Sequence, residues 1–308
     1  LTQPPLIDAG QQSGRRTPEE PAAGLPRGAC DCHVHLFGPP ERYPLLPGRA
    51  YTPGLAEAAD AAAHLDALGL ERLVLVQPSP YGFVNRCLLD GLAVLGDRAR
   101  GIAVTGPDLS DAELADLDSR GVRGIRVNLG DSRGDVSGQI AEAVAAYGAR
   151  LAGSRWVLQL HAPAAALVAA GAALSRSPVP LVIDHFGHVP VRPMLDQAAC
   201  RGIERILEEA DAHLKLSAPY RITEDPDGLA RMGNWVGHLA DRWPERLIWG
   251  SDWPHTPPHG DHSFRFRDID TARDLVRLLS WLPDAQLRKR ILADNPARLF
   301  GFPPAAPL

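Results

Sequence analysis

The chain is expected to fold as a (β/α)8 barrel, and three observations predict it. Short β-branched or apolar runs alternate with Ala- and Leu-rich stretches, the pattern of βα units around a parallel sheet. Eight such units fit within about 250 residues, the usual size of that barrel. Asp31-Cys32-His33-Val34-His35 ends the first run and Trp249-Gly250-Ser251-Asp252-Trp253-Pro254-His255 ends the last. Polar side chains at those two places can meet only if the sheet closes.

The elements follow in order. Residues 1–27, rich in Pro, Gly, Gln and charge with no apolar period, read as an N-terminal arm. The barrel domain spans 28–308. Strands are expected at 28–35, 72–77, 101–105, 122–129, 155–161, 179–185, 213–217 and 247–252, with helices between them at segments such as 55–68, 111–119, 139–151, 202–210 and 229–242. Residues 282–302 read as closing helices, with Asn295-Pro296-Ala297-Arg298 turning into the last. An open doubly wound sheet is the competitor. It is disfavoured because no glycine-rich phosphate fingerprint follows an early strand, and because it would separate the first strand from the last.

Composition removes several function classes. The 308 residues are 45% hydrophobic and 22% charged, with a net charge of -5, so no electrostatic footprint for nucleic acid is present. Apolar segments are broken by Gly, Pro or charge before a membrane span is complete. A cytoplasmic location is the default. The four cysteines, Cys30, Cys32, Cys87 and Cys200, form no CxxC pair and read as reduced thiols. Lysine is limited to Lys215 and Lys289, so nearly all positive charge is arginine.

In such a barrel the chemistry lies at the carboxyl ends of the strands. The polar residues there are His33, His35, Gln77, Ser79, Arg126, Asn128, Gln159, His161, Asp184, His185, Ser217, Tyr220, Arg221, Asp252 and His255. Alternation along a strand places His33 and His35 on one face. One rim histidine alone would read as a hydrogen-bonded structural residue, whereas several beside an aspartate point to a metal or acid/base centre. Trp249 and Trp253 flank Asp252 and are expected to restrict its access to water. His64 and His238 read as packing or surface residues, and His188, His259 and His262 as loop residues that cover the mouth or are solvated.

These blocks resemble the amidohydrolase superfamily: Asp-x-His-x-His, Ile183-Asp184-His185-Phe186-Gly187 and the Trp249 to His255 stretch. Phe37-Gly38-Pro39, Arg49-Ala50-Tyr51-Thr52-Pro53, Val76-Gln77-Pro78-Ser79-Pro80-Tyr81-Gly82 and Asn85-Arg86-Cys87-Leu88 are similar to its 2-pyrone-4,6-dicarboxylate lactonase branch. The resemblance runs from about residue 30 to the end of the chain. It implies a hydrolase that opens a small carboxylate-bearing lactone. His33, His35 and His185 would polarise the ring carbonyl and Asp252 would activate water, more effectively if desolvation raises its pKa from about 3.9. Arg126, Arg133 and Arg221 are the candidates to grip carboxylates through their planar fork. Tyr51, Gln77, Ser79, His161, Tyr220 and His255 would line the substrate.

A binuclear centre with a carbamylated lysine on strand four is set aside, since no lysine precedes Lys215. His33, His35, His161, His185 and Asp252 could still hold one zinc ion. The preferred reading has no obligatory metal, because the lactonase branch uses its histidines directly. Alternatives are a sugar-acid lactone isomerase, a metal-dependent decarboxylase, and a non-catalytic barrel that binds an acidic metabolite.

Overall fold

A computed structural model describes residues 24–303. Most of the expected arm, 1–23, lies outside the described residues, as do 304–308. Eight strands, β1 (Cys30–Val34), β2 (Arg72–Val76), β3 (Ala99–Ala103), β4 (Val122–Asn128), β5 (Val157–His161), β6 (Leu181–Ile183), β7 (Ala212–Ser217) and β8 (Leu247–Gly250), form one sheet in chain order. Each pairs in parallel with the next. The ring is closed by a parallel bridge between Val34 and Trp253, with His35 N donating to Trp253 O at 2.8 Å and Asp252 N to His33 O at 2.9 Å. This is a (β/α)8, or TIM, barrel.

The intervening helices are α1 (Ala58–Leu68), α2 (Arg86–Leu95), α3 (Asp111–Ser119), α4 (Val136–Leu151), α5 (Ala164–Ala169), α6 (Gly171–Leu174), α7 (Gln197–Glu209) and α8 (Pro226–Arg242). Three more, α9 (Thr271–Trp281), α10 (Ala285–Lys289) and α11 (Asn295–Phe300), follow the last strand. Their starts are written in the sequence as aspartate caps. Asp135, Asp196, Asp225, Asp270 and Asp284 each accept a first-turn backbone N–H, satisfying donors that no helical carbonyl can reach. Ser110 and Glu113 form a reciprocal capping box on α3. No described helix is long and apolar enough to cross a membrane.

Strand alternation sorts the core into two layers. Outward residues such as Leu73, Leu75, Leu158, Leu160, Leu214, Leu216 and Trp249 pack under the helices. Inward residues Cys30, Val74, Val76, Ile102, Val157, Val182 and Ile248 fill the barrel and meet Phe300 and Phe302 from the C-terminal segment. The ladders of β6 and β8 end before the expected 185 and 252. The reason is local: His185 (φ 50°) and Asp252 (φ 69°) occupy the left-handed region, which no strand tolerates.

Candidate active site

The first and last strands meet at a bulge. Asp31 pairs with Leu73 of β2 and Val34 with Leu75, so β1 carries one extra residue between them. Cys32 therefore belongs to the barrel interior, and so does His33, whose ring reaches Lys215 of β7. Asp31 braces the seam from behind: its Oδ1 accepts from Ser251 N at 2.8 Å and His33 N at 3.1 Å, and its Oδ2 faces His64 Nε2 at 3.4 Å. Gly250 has to be glycine here, because a Cβ would lie 2.7 Å from the Cβ of His33.

Four side chains converge in front of the seam. His33 Nε2 and His35 Nε2 are 3.2 Å apart, each lies 3.5 Å from Asp252 Oδ1, and His185 Nε2 is 3.9 Å from the same oxygen. All are buried. Asp252 Oδ2 is fully engaged, accepting from Tyr220 Oη at 2.5 Å and Arg221 Nε at 2.7 Å, while Oδ1 has no hydrogen-bond partner. Desolvation pushes this carboxyl up, yet Arg221 and the surrounding imidazoles outweigh it and hold the group well below the usual carboxylate range. The rise that desolvation alone would give this carboxyl is thus reversed.

Hydrogen-bond polarity assigns the rings. His35 Nδ1 lies 2.7 Å from Val76 O; a carbonyl only accepts, so the proton is on Nδ1 and Nε2 presents a lone pair. With its proton on Nδ1, the His35 ring turns an acceptor towards the site. His185 Nδ1 meets Ser217 Oγ at 2.8 Å, a hydroxyl that serves either a protonated or an unprotonated Nδ1, and its Nε2 faces the cluster. His33 has its pKa lowered to about 3, chiefly by burial and then by Lys215, so its imidazole is neutral.

Beneath these rings lies a second buried network. Asp184 Oδ2 accepts from Arg126 Nε and from Gln159 Nε2, both at 3.1 Å. Lys215 Nζ is 3.2 Å from Asp184 Oδ1 and 3.0 Å from Gln159 Oε1. Desolvation opposes the charge on Asp184, but Lys215, His33 and Arg126 hold it well below the usual carboxylate range.

With that geometry in view, the comparisons with known proteins are informative. The family model described as Amidohydrolase matches residues 30–302. The chain belongs to the amidohydrolase family. It is 32% identical over 292 residues to a 2-pyrone-4,6-dicarboxylate hydrolase of Comamonas testosteroni, covering 92% of this chain and 93% of that one. It is 31% identical to a 4-sulfomuconolactone hydrolase of Rhizobium radiobacter, covering 90% and 91%. An apo crystal structure from Agrobacterium tumefaciens shares the fold at a TM-score of 0.78 and 24% identity, covering 92% and 99%.

The remaining candidates in this amidohydrolase fall into groups. Arg126 Nη2 donates to His161 Nδ1 at 2.9 Å, so the proton of His161 is on Nε2 and the ring cannot join His33, His35, His185 and Asp252 as a ligand. Tyr51 is buried, which pushes its phenol up to about 12, and it faces Arg221, Ser79 and Thr256. Ser79 is exposed. Gln77 donates to the carbonyls of Gly82 and Val84 at 3.3 and 2.9 Å, so it braces its loop. His255 is spent on Thr271 Oγ1 at 2.7 Å and Tyr220 Oη at 3.4 Å, and it lies behind Tyr220. Arg133 is exposed and has no ion pair among the described residues.

Trp249 faces outward with Leu278 and Trp281, and Trp253 stacks on His64 at 5.1 Å. Asp252 is thus enclosed by histidines, Tyr220 and Arg221 rather than by tryptophans. Lys215 and His188 escaped the sequence reading as site residues. His188 stacks on His161 with 4.6 Å between centroids, and a lysine alternating with His213 and Ser217 inside a buried strand was the available signal for Lys215.

A divalent cation fits three of the converging groups, His33, His35 and Asp252, while His185 groups instead with His33 and Asp184. The separations among His33 Nε2, His35 Nε2 and Asp252 Oδ1, 3.2, 3.5 and 3.5 Å, match the ~3.4 Å edge of a tetrahedron with zinc-like bonds of about 2.1 Å. The unpartnered Asp252 Oδ1 and the lone pair of His35 suit such an ion.

Proposed function

We propose that the chain hydrolyses a small carboxylate-bearing lactone, with Asp252 as the base. The carrying observation is the half-spent carboxylate: Oδ2 is pinned by Tyr220 and Arg221, and Oδ1 faces three imidazoles without a partner. Its low pKa keeps it ionised at every physiological pH. Water bound at Oδ1 gives up a proton as its oxygen adds to the ring carbonyl. His33 and His185 are assigned as the N–H donors to the oxyanion, a contribution of about 3 kcal/mol per donor in comparable sites. Collapse breaks the ring C–O bond, and the alkoxide or enolate leaves with the proton held by Asp252.

Arg126 and Arg221 each keep Nη1 free of partners among the described contacts, which leaves a charged N–H donor for a substrate carboxylate. Tyr51, Ser79, Arg133 and His161 would complete that side. The relatives named as hydrolases of a pyrone dicarboxylate and a sulfomuconolactone support an anionic lactone. If one metal ion is bound, His33, His35 and Asp252 would hold it, and it would supply Lewis-acid polarisation of the carbonyl. The preferred reading needs no such ion. The four free, buried cysteines suit a reducing cytoplasm.

The test is a panel of pyrone, muconate and aldarate lactones assayed by proton release, with and without chelator. Hydrolysis liberates one proton per ring opened near neutral pH. Consumption without acid would replace hydrolysis by isomerisation, and carbon dioxide would replace it by decarboxylation.

A further inference from the structure

We infer that Lys215 is a positioning residue that fixes the proton of His33 on Nε2 and thereby biases the His33–His35–His185–Asp252 cluster against a divalent metal. An ammonium has three N–H donors and no acceptor. Lys215 is fully buried, donates to His33 Nδ1 (3.2 Å) and Gln159 Oε1 (3.0 Å), and forms an ion pair with Asp184 Oδ1 at 3.2 Å. The orientation of Gln159 is determined independently, since its Nε2 donates to Asp184 Oδ2 and its Oε1 is left to face the lysine.

A ring nitrogen that accepts from an ammonium carries no proton, so a neutral His33 has its hydrogen on Nε2. That hydrogen points at the His35 Nε2 lone pair and at the space between His35 and Asp252. The resulting chain of donors runs from Lys215 through His33 to His35 with no group mismatched. A metal at the cluster would need the His33 Nε2 lone pair, and the proton would have to move to Nδ1, towards Asp184 Oδ1 at 3.4 Å, displacing Lys215. The lysine therefore selects between two protonation patterns of one scaffold.

Its part in carbonyl polarisation rests on the proposed lactone hydrolysis, whereas the position of the proton does not. In protein labelled with nitrogen-15 histidine, His33 is expected to give a pyridine-type Nδ1 and a pyrrole-type Nε2; the reverse assignment overturns the inference. Lys215→Met leaves Asp184 compensated by Arg126 and Gln159, and its zinc affinity, measured by competition with a chromophoric chelator, is expected to rise about tenfold or more, the scale on which groups behind a ligand act. Unchanged or weaker zinc binding overturns the inference. For an active lactone, kcat is expected to fall in that variant with KM retained. If Lys215→Met fails to fold, the wild-type spectrum decides alone.

Discussion

The two ends of the barrel interior are built by the same strands and behave as different solvents. At the lower end Cys30, Val74, Ile102, Val157, Val182 and Ile248 meet Phe300 and Phe302 in an apolar plug. Two to four residues further along those strands stand His33, Gln159, Asp184 and Asp252, with Lys215 of β7 beside them, all buried and nearly all ionic or paired. Stability below comes from area removed from water, and order above from charge pairs that cannot be broken singly. The difference teaches that this fold separates holding together from reacting by a short step along each strand.

The largest expected break in that contrast is Asp252→Asn. Removing the proposed base at the upper end should lower kcat for an active lactone by about a hundred- to ten-thousandfold while substrate binding persists; calorimetric titration and proton release measure the two separately. Retained turnover would remove Asp252 as the base.

Acid should dissolve the upper end first. His33 is held down to about 3 and His188 and His255 to about 4, each mainly by burial. Their imidazoles stay neutral in the fold while the unfolded chain takes up protons below about pH 6.5. Stability is therefore full above that pH and falls as the pH drops towards 4, each such histidine adding ~1.4 kcal/mol per pH unit. Asp184 and Asp252, with depressed values, contribute stability present above about pH 3.9 and lost only as the pH falls through their folded values. Urea midpoints from pH 8 to 5 check this, and a midpoint constant across that range contradicts it.

Phe300→Ala tests the lower end. The side chain is fully buried, and its loss is expected to cost about 3–5 kcal/mol of unfolding free energy with kcat/KM unchanged at temperatures where the variant is folded. The smallest effect is expected for Arg133→Met: stability within ~0.5 kcal/mol of the parent and KM raised about threefold, as suits an exposed ion pair with substrate. An unchanged KM would take Arg133 out of the substrate site.

Much of this was legible because barrel periodicity and strand-end chemistry are local signals. The strand runs and the identities of His33, His35, His185 and Asp252 stand in the chain in order. What the residues alone could not convey is which atom faces which. The Asp31-to-Val34 bulge decides that Asp31 braces the seam while His33 enters the barrel. Val76 O turns His35 into an acceptor, Arg126 removes His161 from any ligand set, and Arg221 reverses the pKa direction that burial gives Asp252. Lys215 stood in plain view but was read as a count instead of a position in a buried strand.

The seam between β1 and β8 carries one more consequence. Its two sides are supplied by residues more than two hundred positions apart in the chain, and they are stitched by Asp31, His33 and His35 to Ser251, Asp252 and Trp253. The cluster is accordingly assembled last: until the final strand docks, the imidazoles of β1 stand without the carboxylate of Asp252. Catalytic competence in this architecture arrives as the last stave of the cask is set.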